Sequence, residues 1–415
     1  MFRPSSKLQT RVKNKMRKKW RLFHATDFQS LMFPCFIICR ILGIFPYSIN
    51  GSNFQASKWR CILASINIVI LCVNVAEILY EMNITKRINF ANPARIFQNN
   101  CYYLSGGFIA IITYILSGPR MRLLQTVMEV SSRLPPESYQ KIAKFIHAKD
   151  IIFFLFLIGQ MCQYHYGSVF DVLYYFIGLY ITLVVSYMDI LYMNCVCVLK
   201  ACFERINDNL ASLRKIAMND EPHFLEQNHY NQRNPFLLME LKALKKQHLI
   251  VSDVVQKLNI IFSLQLLATM VINFTQLTFS MYFVAEYVFK KYYFGQEKSV
   301  LDIYLLIFIL FHSIRMVMVV WSCETGKKRA MEITTTVHDV LVSANDKEVK
   351  NELQLFSLQI LHRDNTFSAK GLTVDATLLT AIVGSITTYL LILVQFMNAA
   401  SICDKLPSGN ATSSI

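Results

Sequence analysis

Apolar residues in this chain run in long blocks, not in the short periodic patches of a water-soluble core. Seven blocks, 61–81, 101–117, 149–166, 171–198, 256–289, 301–322 and 376–400, approach or exceed the roughly 20 residues that cross a bilayer as a helix. Hydrocarbon offers the backbone no water, and a helix satisfies its own amide and carbonyl groups. The pattern therefore predicts an all-α membrane protein with seven transmembrane helices. An eighth block, 31–50, is interrupted by Pro34, Arg40, Gly43 and Pro46, so 31–60 is predicted to be re-entrant or interfacial. The polar segments are patterned too. Residues 199–255 hold Glu204, Arg205, Asp208, Glu240, Lys242, Lys245 and Lys246, which predicts helices reaching out of the membrane. Within them 218–235, rich in Asn, Gln, His and Pro, reads as a loop. Residues 323–375 open with Glu324, Lys327, Lys328 and Glu332, a helical continuation of the preceding span.

Composition agrees, with 54% hydrophobic and only 17% charged residues in 415. A net charge of +15 would suggest nucleic acid in a soluble protein, but here the positions of the charges decide. With 31–50 outside the count of spans and the N-terminus inside, 32 Lys and Arg fall on the cytoplasmic side and 7 outside. If 31–50 also spans, the counts become 16 and 23. The positive-inside rule selects the first arrangement, with the N-terminus cytoplasmic and the C-terminus extracellular. The short 118–149 loop, with Arg120, Arg122, Arg133, Lys141, Lys144 and Lys149, points the same way. The expected organisation is a basic cytoplasmic arm (1–30), the 31–60 segment, four spans (61–198), a long cytoplasmic loop (199–255) and two spans (256–322). A cytoplasmic helical region (323–375), the last span (376–400) and an extracellular tail (401–415) follow. No cleavable signal peptide is expected, since a long basic arm takes the place of an apolar core with a small-residue cleavage site.

The last span carries the most informative pattern. Ala381, Ser385, Thr388, Ile392, Gln395 and Ala399 fall on one helical face, a stripe of mostly small or polar side chains. An amide left unpaired in hydrocarbon costs several kcal/mol, so Gln395 is expected to face protein or water. Two readings stand side by side: close packing between helices, or a pore lined by one helix from each of several copies. Elsewhere, His312 and Arg315 lie three residues apart inside 301–322, and ionisable groups inside a membrane are functional candidates. Arg315 either snorkels to the inner interface or pairs with a neighbouring helix. The sequons at Asn83 and Asn410 fall outside and are candidate glycosylation sites; Asn273 lies within a span, and Asn50 fits the topology badly. The eleven cysteines show no metal-ligand spacing and read as packing. No phosphate loop, HExxH pair or GxSxG elbow occurs, so neither an enzyme, a metal nor a cofactor is expected.

Thr388-Tyr389, five apolar residues, then Gln395-Phe396 resembles the carboxy-terminal signature of the insect gustatory receptors. The flank Phe367-Ser368-Ala369-Lys370-Gly371-Leu372, continuing through Val374-Asp375-Ala376-Thr377-Leu378-Leu379, is similar to the stretch leading into that family's last helix. The resemblance implies a tastant-gated, non-selective cation channel, related to the insect odorant receptors and built as a tetramer. Its seventh helix would line the pore, with Gln395, Phe396, Ile392 and Thr388 along the conducting face and the gate. Tyr389 would steady that helix by an interhelical hydrogen bond. The implied partners are a small-molecule tastant, the lipid bilayer, permeant cations and further copies or other gustatory receptors, with no nucleic acid. The implied location is the plasma membrane of a sensory dendrite.

By the same resemblance the ligand site lies among the outer halves of the spans. Gln160, Gln163, Tyr164, Tyr175, Gln276, Tyr304, Phe308 and His312 supply aromatic faces and hydrogen-bonding groups there. Tyr102, Tyr103 and Tyr174 share the region, but interfacial anchoring explains such tyrosines as readily. The outer face of the sixth span carries Ile303, Leu305, Ile307 and Phe308, which slightly favours a bitter over a sugar ligand. A G-protein-coupled type of receptor and a secondary transporter are the alternatives. The basic N-terminal arm opposes the first and the lack of an inverted repeat opposes the second.

Overall fold

A computed structural model describes residues 22–50, 53–88, 92–161, 169–218, 227–294, 299–344 and 346–405. Among these the chain forms ten α-helices and two small β-hairpins. Helix α1 (Phe28–Ile41) starts at Asp27, whose carboxylate accepts from the Ser30 amide at 2.8 Å while the Ser30 hydroxyl reaches back to the Asp27 amide. At 14 residues it is about 21 Å long and packs against the bundle interior, burying Leu31, Met32, Cys35 and Phe36. A hairpin follows, β1 (Tyr47–Asn50) on β2 (Asn53–Ala56), held by Phe45 stacked on Phe36 at 4.8 Å with Phe54 edge-on to both.

The remaining helices are α2 (Lys58–Tyr80, extended by a π turn over Glu81–Thr85), α3 (Pro93–Ile115), α4 (Ser117–Ser131), α5 (Pro136–Met161), α6 (Val169–Met218), α7 (Gln227–Phe294), α8 (Ser299–Ser343), α9 (Lys347–Leu361) and α10 (Ala376–Lys405). Five of them, α2, α6, α7, α8 and α10, are long and apolar enough to cross a membrane. The pair α3 and α4, bent by 65°, counts as a sixth. The expected span 149–166 falls on the end of α5, and its last five residues lie outside the described ones. Helix α6 is the axis of the fold: it packs along α8, α7 and α3, and almost every side chain from Ile181 to Phe203 is buried.

Two expectations from the pattern are corrected. Residues 118–149 are not a loop: α4 and the first half of α5 fill them, and Arg120 and Lys149 are buried. The bend before α4 has a covalent cause. Pro119 lacks the amide that would bond the Ile115 carbonyl, and its ring clashes there. Arg120 then reaches back to the Thr113 carbonyl at 3.0 Å and lies over the Phe262 ring at 5.1 Å. Lys149 pairs with its neighbour Asp150 at 2.6 Å. Likewise, α7 is already helical at Gln227, so half of the loop expected over 218–235 is helix. Gln, Asn and His are only moderately unfavourable in helices, so polar composition alone does not mark a loop.

Below the membrane-spanning parts, α6, α7 and α8 continue as a charged bundle. Arg329 pairs with Glu204 at 3.0 Å and Arg214 with Asp339 at 3.0 Å, joining α8 to α6. Helix α9 caps this bundle through the Lys245–Glu352 ion pair and through Gln359, whose amide donates to the Lys245 carbonyl at 3.0 Å and to His248 Nδ1 at 3.2 Å. His248, in the cytoplasmic part of α7, is buried between Phe203 and Phe356. Desolvation, with the nearby Arg363 charge, pushes its pKa down to about 4.

The segment before α10 is a short hairpin, β3 (Ser368–Ala369) on β4 (Leu372–Thr373), turned by Lys370 and Gly371 at φ +53° and +85°. Asn259 on α7 grips it from both sides, donating to the Thr366 carbonyl at 2.7 Å and accepting from the Ser368 amide at 3.2 Å. Phe367 seats against Gly326, where a Cβ would fall 2.8 Å from the phenyl ring. Asp375 then caps α10, accepting from the Thr377 and Leu378 amides at 3.1 and 3.2 Å.

Candidate ligand cavity and last helix

A cavity of about 270 Å³ opens between the ends of α3, α6, α7 and α8 that the charge count places outside. Tyr175, Gln276, Phe308 and His312, all expected in a site, line it together. Gln160 and Tyr304 fall in α5 and α8, but their side chains lie outside the described ones, as do Gln163 and Tyr164 altogether. The cavity adds residues that the sequence reading passed over, namely Arg95 and Gln98, and takes in Tyr102, Tyr103 and Tyr174. Interfacial anchoring does not describe these tyrosines. Tyr103 is 2% exposed, and its hydroxyl donates to the Tyr174 carbonyl at 3.0 Å. The Tyr102 hydroxyl donates to the Gly178 carbonyl and lies beside the Thr182 hydroxyl, each at 2.6 Å.

Small residues set the width of this end of the bundle. A Cβ on Gly106 would fall 2.3 Å from Ile181 Cγ2, and one on Gly178 would fall 3.1 Å from the Tyr103 hydroxyl. Both glycines let α3 and α6 approach closely enough for those tyrosines to reach backbone carbonyls across the gap. Gln98 donates to Gln276 Oε1 at 2.8 Å, bridging α3 and α7, and Arg95 lies 4.8 Å over the Phe283 ring. His312 lies tilted against Phe308 at 4.4 Å and sets Nδ1 3.0 Å from Asn273 Oδ1, so the ring donates its Nδ1 proton to α7.

One turn deeper, Arg315 Nε donates to Asp189 Oδ2 at 2.8 Å, with both side chains buried. The other Asp189 oxygen accepts from Gln265 and Thr269, each at 3.1 Å. Of the two expectations for Arg315, pairing holds and snorkelling does not. Asp189, deep in the 171–198 block, was the available signal: an Asp and an Arg mid-way along separate spans imply each other in hydrocarbon.

Helix α10 presents a different surface. Ala381, Ser385, Thr388, Ile392, Gln395 and Ala399 are all exposed, as is Phe396 at 71%. Ser385 and Thr388 satisfy their hydroxyls on the Ala381 and Gly384 carbonyls at 2.9 and 3.0 Å. Tyr389 meets Phe274 of α7 edge-on at 5.9 Å, an aromatic contact. Asn83 lies exposed in the π turn after α2, its amide donating to the Leu79 carbonyl and to Asn100 at 2.8 and 2.9 Å; Asn410 lies outside the described residues.

Apolar spans around a buried polar core, with a cavity at one end, define a multi-span helical membrane protein. The 7tm chemosensory receptor family profile matches residues 32–398, and the chain belongs to that family. It is similar to gustatory receptor 28b of Drosophila melanogaster, 32% identical over 36% of this chain and 32% of that protein. It also resembles the gustatory receptor for sugar taste 43a of the same species, 29% identical over 38% of this chain and 36% of that protein. These matches span about a third of each curated relative. Among solved structures, the insect olfactory receptor OR5 from Machilis hrabei shares the fold with a TM-score of 0.64 at 12% identity, over 89% of this chain and 98% of that one. The same receptor in complex with eugenol aligns at 0.61, again over 89% and 98% of the two chains.

Proposed function

We propose that this protein is one subunit of a tastant-gated, non-selective cation channel in the plasma membrane, a tetramer of like or mixed gustatory receptors with α10 lining the pore. The observation that carries this reading is Gln395. Its side chain is exposed near the outer end of α10, and it makes no hydrogen bond to any described residue. Ser385 and Thr388 can lie in lipid because their own helix serves them, but a primary amide cannot. Water in a pore or a polar group of a neighbouring copy is the surrounding that fits it. Ile392 at 40% and Phe396 at 71% exposure share the free surface and would form the dewetted constriction of a closed pore.

The ligand acts from the cavity. The Tyr102 and Tyr103 hydroxyls are committed to backbone carbonyls, and one amide of Gln98 to Gln276 Oε1. What remains are aromatic faces with few open polar groups, which suits an aromatic or apolar organic tastant over a polyhydroxylated sugar. Helix α7 links the two ends: Gln276 and Asn273 face the cavity side and Phe274 touches Tyr389. A ligand that shifts α7 therefore displaces α10 directly. The deciding experiment expresses the chain alone and records from excised patches without GTP while a tastant panel is applied. Ligand-evoked cation current supports the channel. A response that appears only in intact cells and depends on GTP would sink it.

A further inference from the structure

The geometry points to a second ligand site, on the cytoplasmic side, built for a phosphorylated polyol. A cavity of about 300 Å³ lies between α4, α6 and α7, at the opposite end of the bundle from the tastant cavity. Arg133, just after α4, and Arg205, on α6, line it from two elements. Among the described residues neither guanidinium has an ion pair or a hydrogen bond, whereas Arg214, Lys245, Arg329 and Arg363 in the same layer are all paired. Arg133 and Arg205 are both solvent-exposed and line one space from two elements, and two arginine forks of this kind are suited to a phosphate monoester.

The rest of the lining says which phosphate. Glu129 stands at the same cavity, bonded through Oε1 to the Gln125 amide at 2.9 Å and ion-paired to neither arginine. A carboxylate repels a bare anion but accepts from hydroxyl groups, so the ligand must offer both. Ile206, Ile250 and Val251 form an apolar wall against which the C–H face of a ring can lie. Arg205 is seven residues past the 171–198 block and Val251 five before 256–289, about 10 and 8 Å below the bilayer at the helical rise. An inositol phosphate reaches that depth either as a free solute or as the headgroup of an inner-leaflet lipid. Because α6 and α7 wall both cavities, occupancy here should shift the tastant concentration–response by about 5-fold or more.

The test is binding by the full-length protein in phosphatidylcholine nanodiscs, with inositol 1,4,5-trisphosphate as the soluble probe and phosphatidylinositol 4,5-bisphosphate added to the nanodisc as the lipid probe. Saturable binding of the soluble probe names a free solute; saturation by the lipid alone names a headgroup. Arg133→Gln with Arg205→Gln should weaken that binding at least tenfold, and Arg133→Lys with Arg205→Lys should restore part of it. Arg122→Gln, exposed on α4 away from the cavity, should leave it unchanged. Glu129→Gln should weaken the polyol phosphate but not inorganic phosphate. The site is disproved if neither probe saturates, or if Arg122→Gln lowers affinity as much as the double change. Ligand-free unfolding temperatures matching the parent separate these outcomes from misfolding.

Discussion

Helices α6 and α10 are both long, apolar membrane spans, yet the chain treats them oppositely. Of the most apolar 18 residues in α6, 89% are buried within the protein; in α10 the share is 6%. Hydropathy cannot tell these apart, because lipid and protein interiors are equally apolar solvents. What distinguishes them is where each puts its polar side chains. Asp189 on α6 is sealed by Arg315, Gln265 and Thr269, while Gln395 on α10 is left open. A buried span is specified by partners in its own chain, and an exposed one by surroundings that the chain does not contain.

Breaking the α6 seal should have the largest effect. Asp189→Ala strands the Arg315 guanidinium in the core, and about 3–5 kcal/mol of stability should be lost. A thermal-shift and size-exclusion assay should show little folded protein, whereas Asp189→Leu with Arg315→Met should recover most of it. Next comes the pH dependence of the α6 jacket. His248 packs on Phe203 of α6, and its folded pKa of about 4 lies below the ordinary 6.5. Its contribution is complete above pH 6.5 and is lost as pH falls towards 4, about 3 kcal/mol in all by linkage. Denaturant unfolding of the detergent-solubilised protein across that window should show the loss, and His248→Gln should flatten it. Gly106→Ala pushes a methyl into Ile181 on α6 and should cost about 1–3 kcal/mol, weakening tastant potency as α3 is forced outwards.

On α10 the same measurements should read small and the electrical ones large. Tyr389→Ala removes one edge-on contact to Phe274, worth about 1 kcal/mol, and should right-shift activation more than it lowers the unfolding temperature. Gln395→Leu should change subunit stability by less than about 0.5 kcal/mol while altering conductance or basal opening several-fold. If conductance, selectivity and basal opening all survive that change, the stripe is a packing surface and the contrast between the two helices loses its functional meaning.

Much of this was legible beforehand, for identifiable reasons. The spans show because backbone satisfaction in lipid forces long apolar runs, and the α10 stripe shows because a helix has a fixed period. The family resemblance pointed to the outer halves of the spans, and Tyr175, Gln276, Phe308 and His312, picked there for their chemistry, line one cavity. That Tyr102 and Tyr103 point inward was not legible: it depends on Gly106 and Gly178 bringing α3 onto α6, a contact between residues about 75 apart. Arg120 was counted as a cytoplasmic loop charge, since its burial follows from the bend at Pro119 and from Phe262 on a distant helix. The onset of α7 at Gln227 escaped because polar composition marks exposure to water, not the absence of a helix.

The open amide on α10 also bears on how the protein is made. If α10 lines a pore between copies, as proposed, a copy inserted alone would hold Gln395 against lipid at a cost of several kcal/mol, a defect removed only when neighbouring copies close around it. On that proposal, assembly and survival would be joined. A cell that degrades poorly inserted membrane proteins would clear solitary subunits and spare complete rings. The abundance of this receptor should then follow the supply of its partners more closely than the rate of its own synthesis.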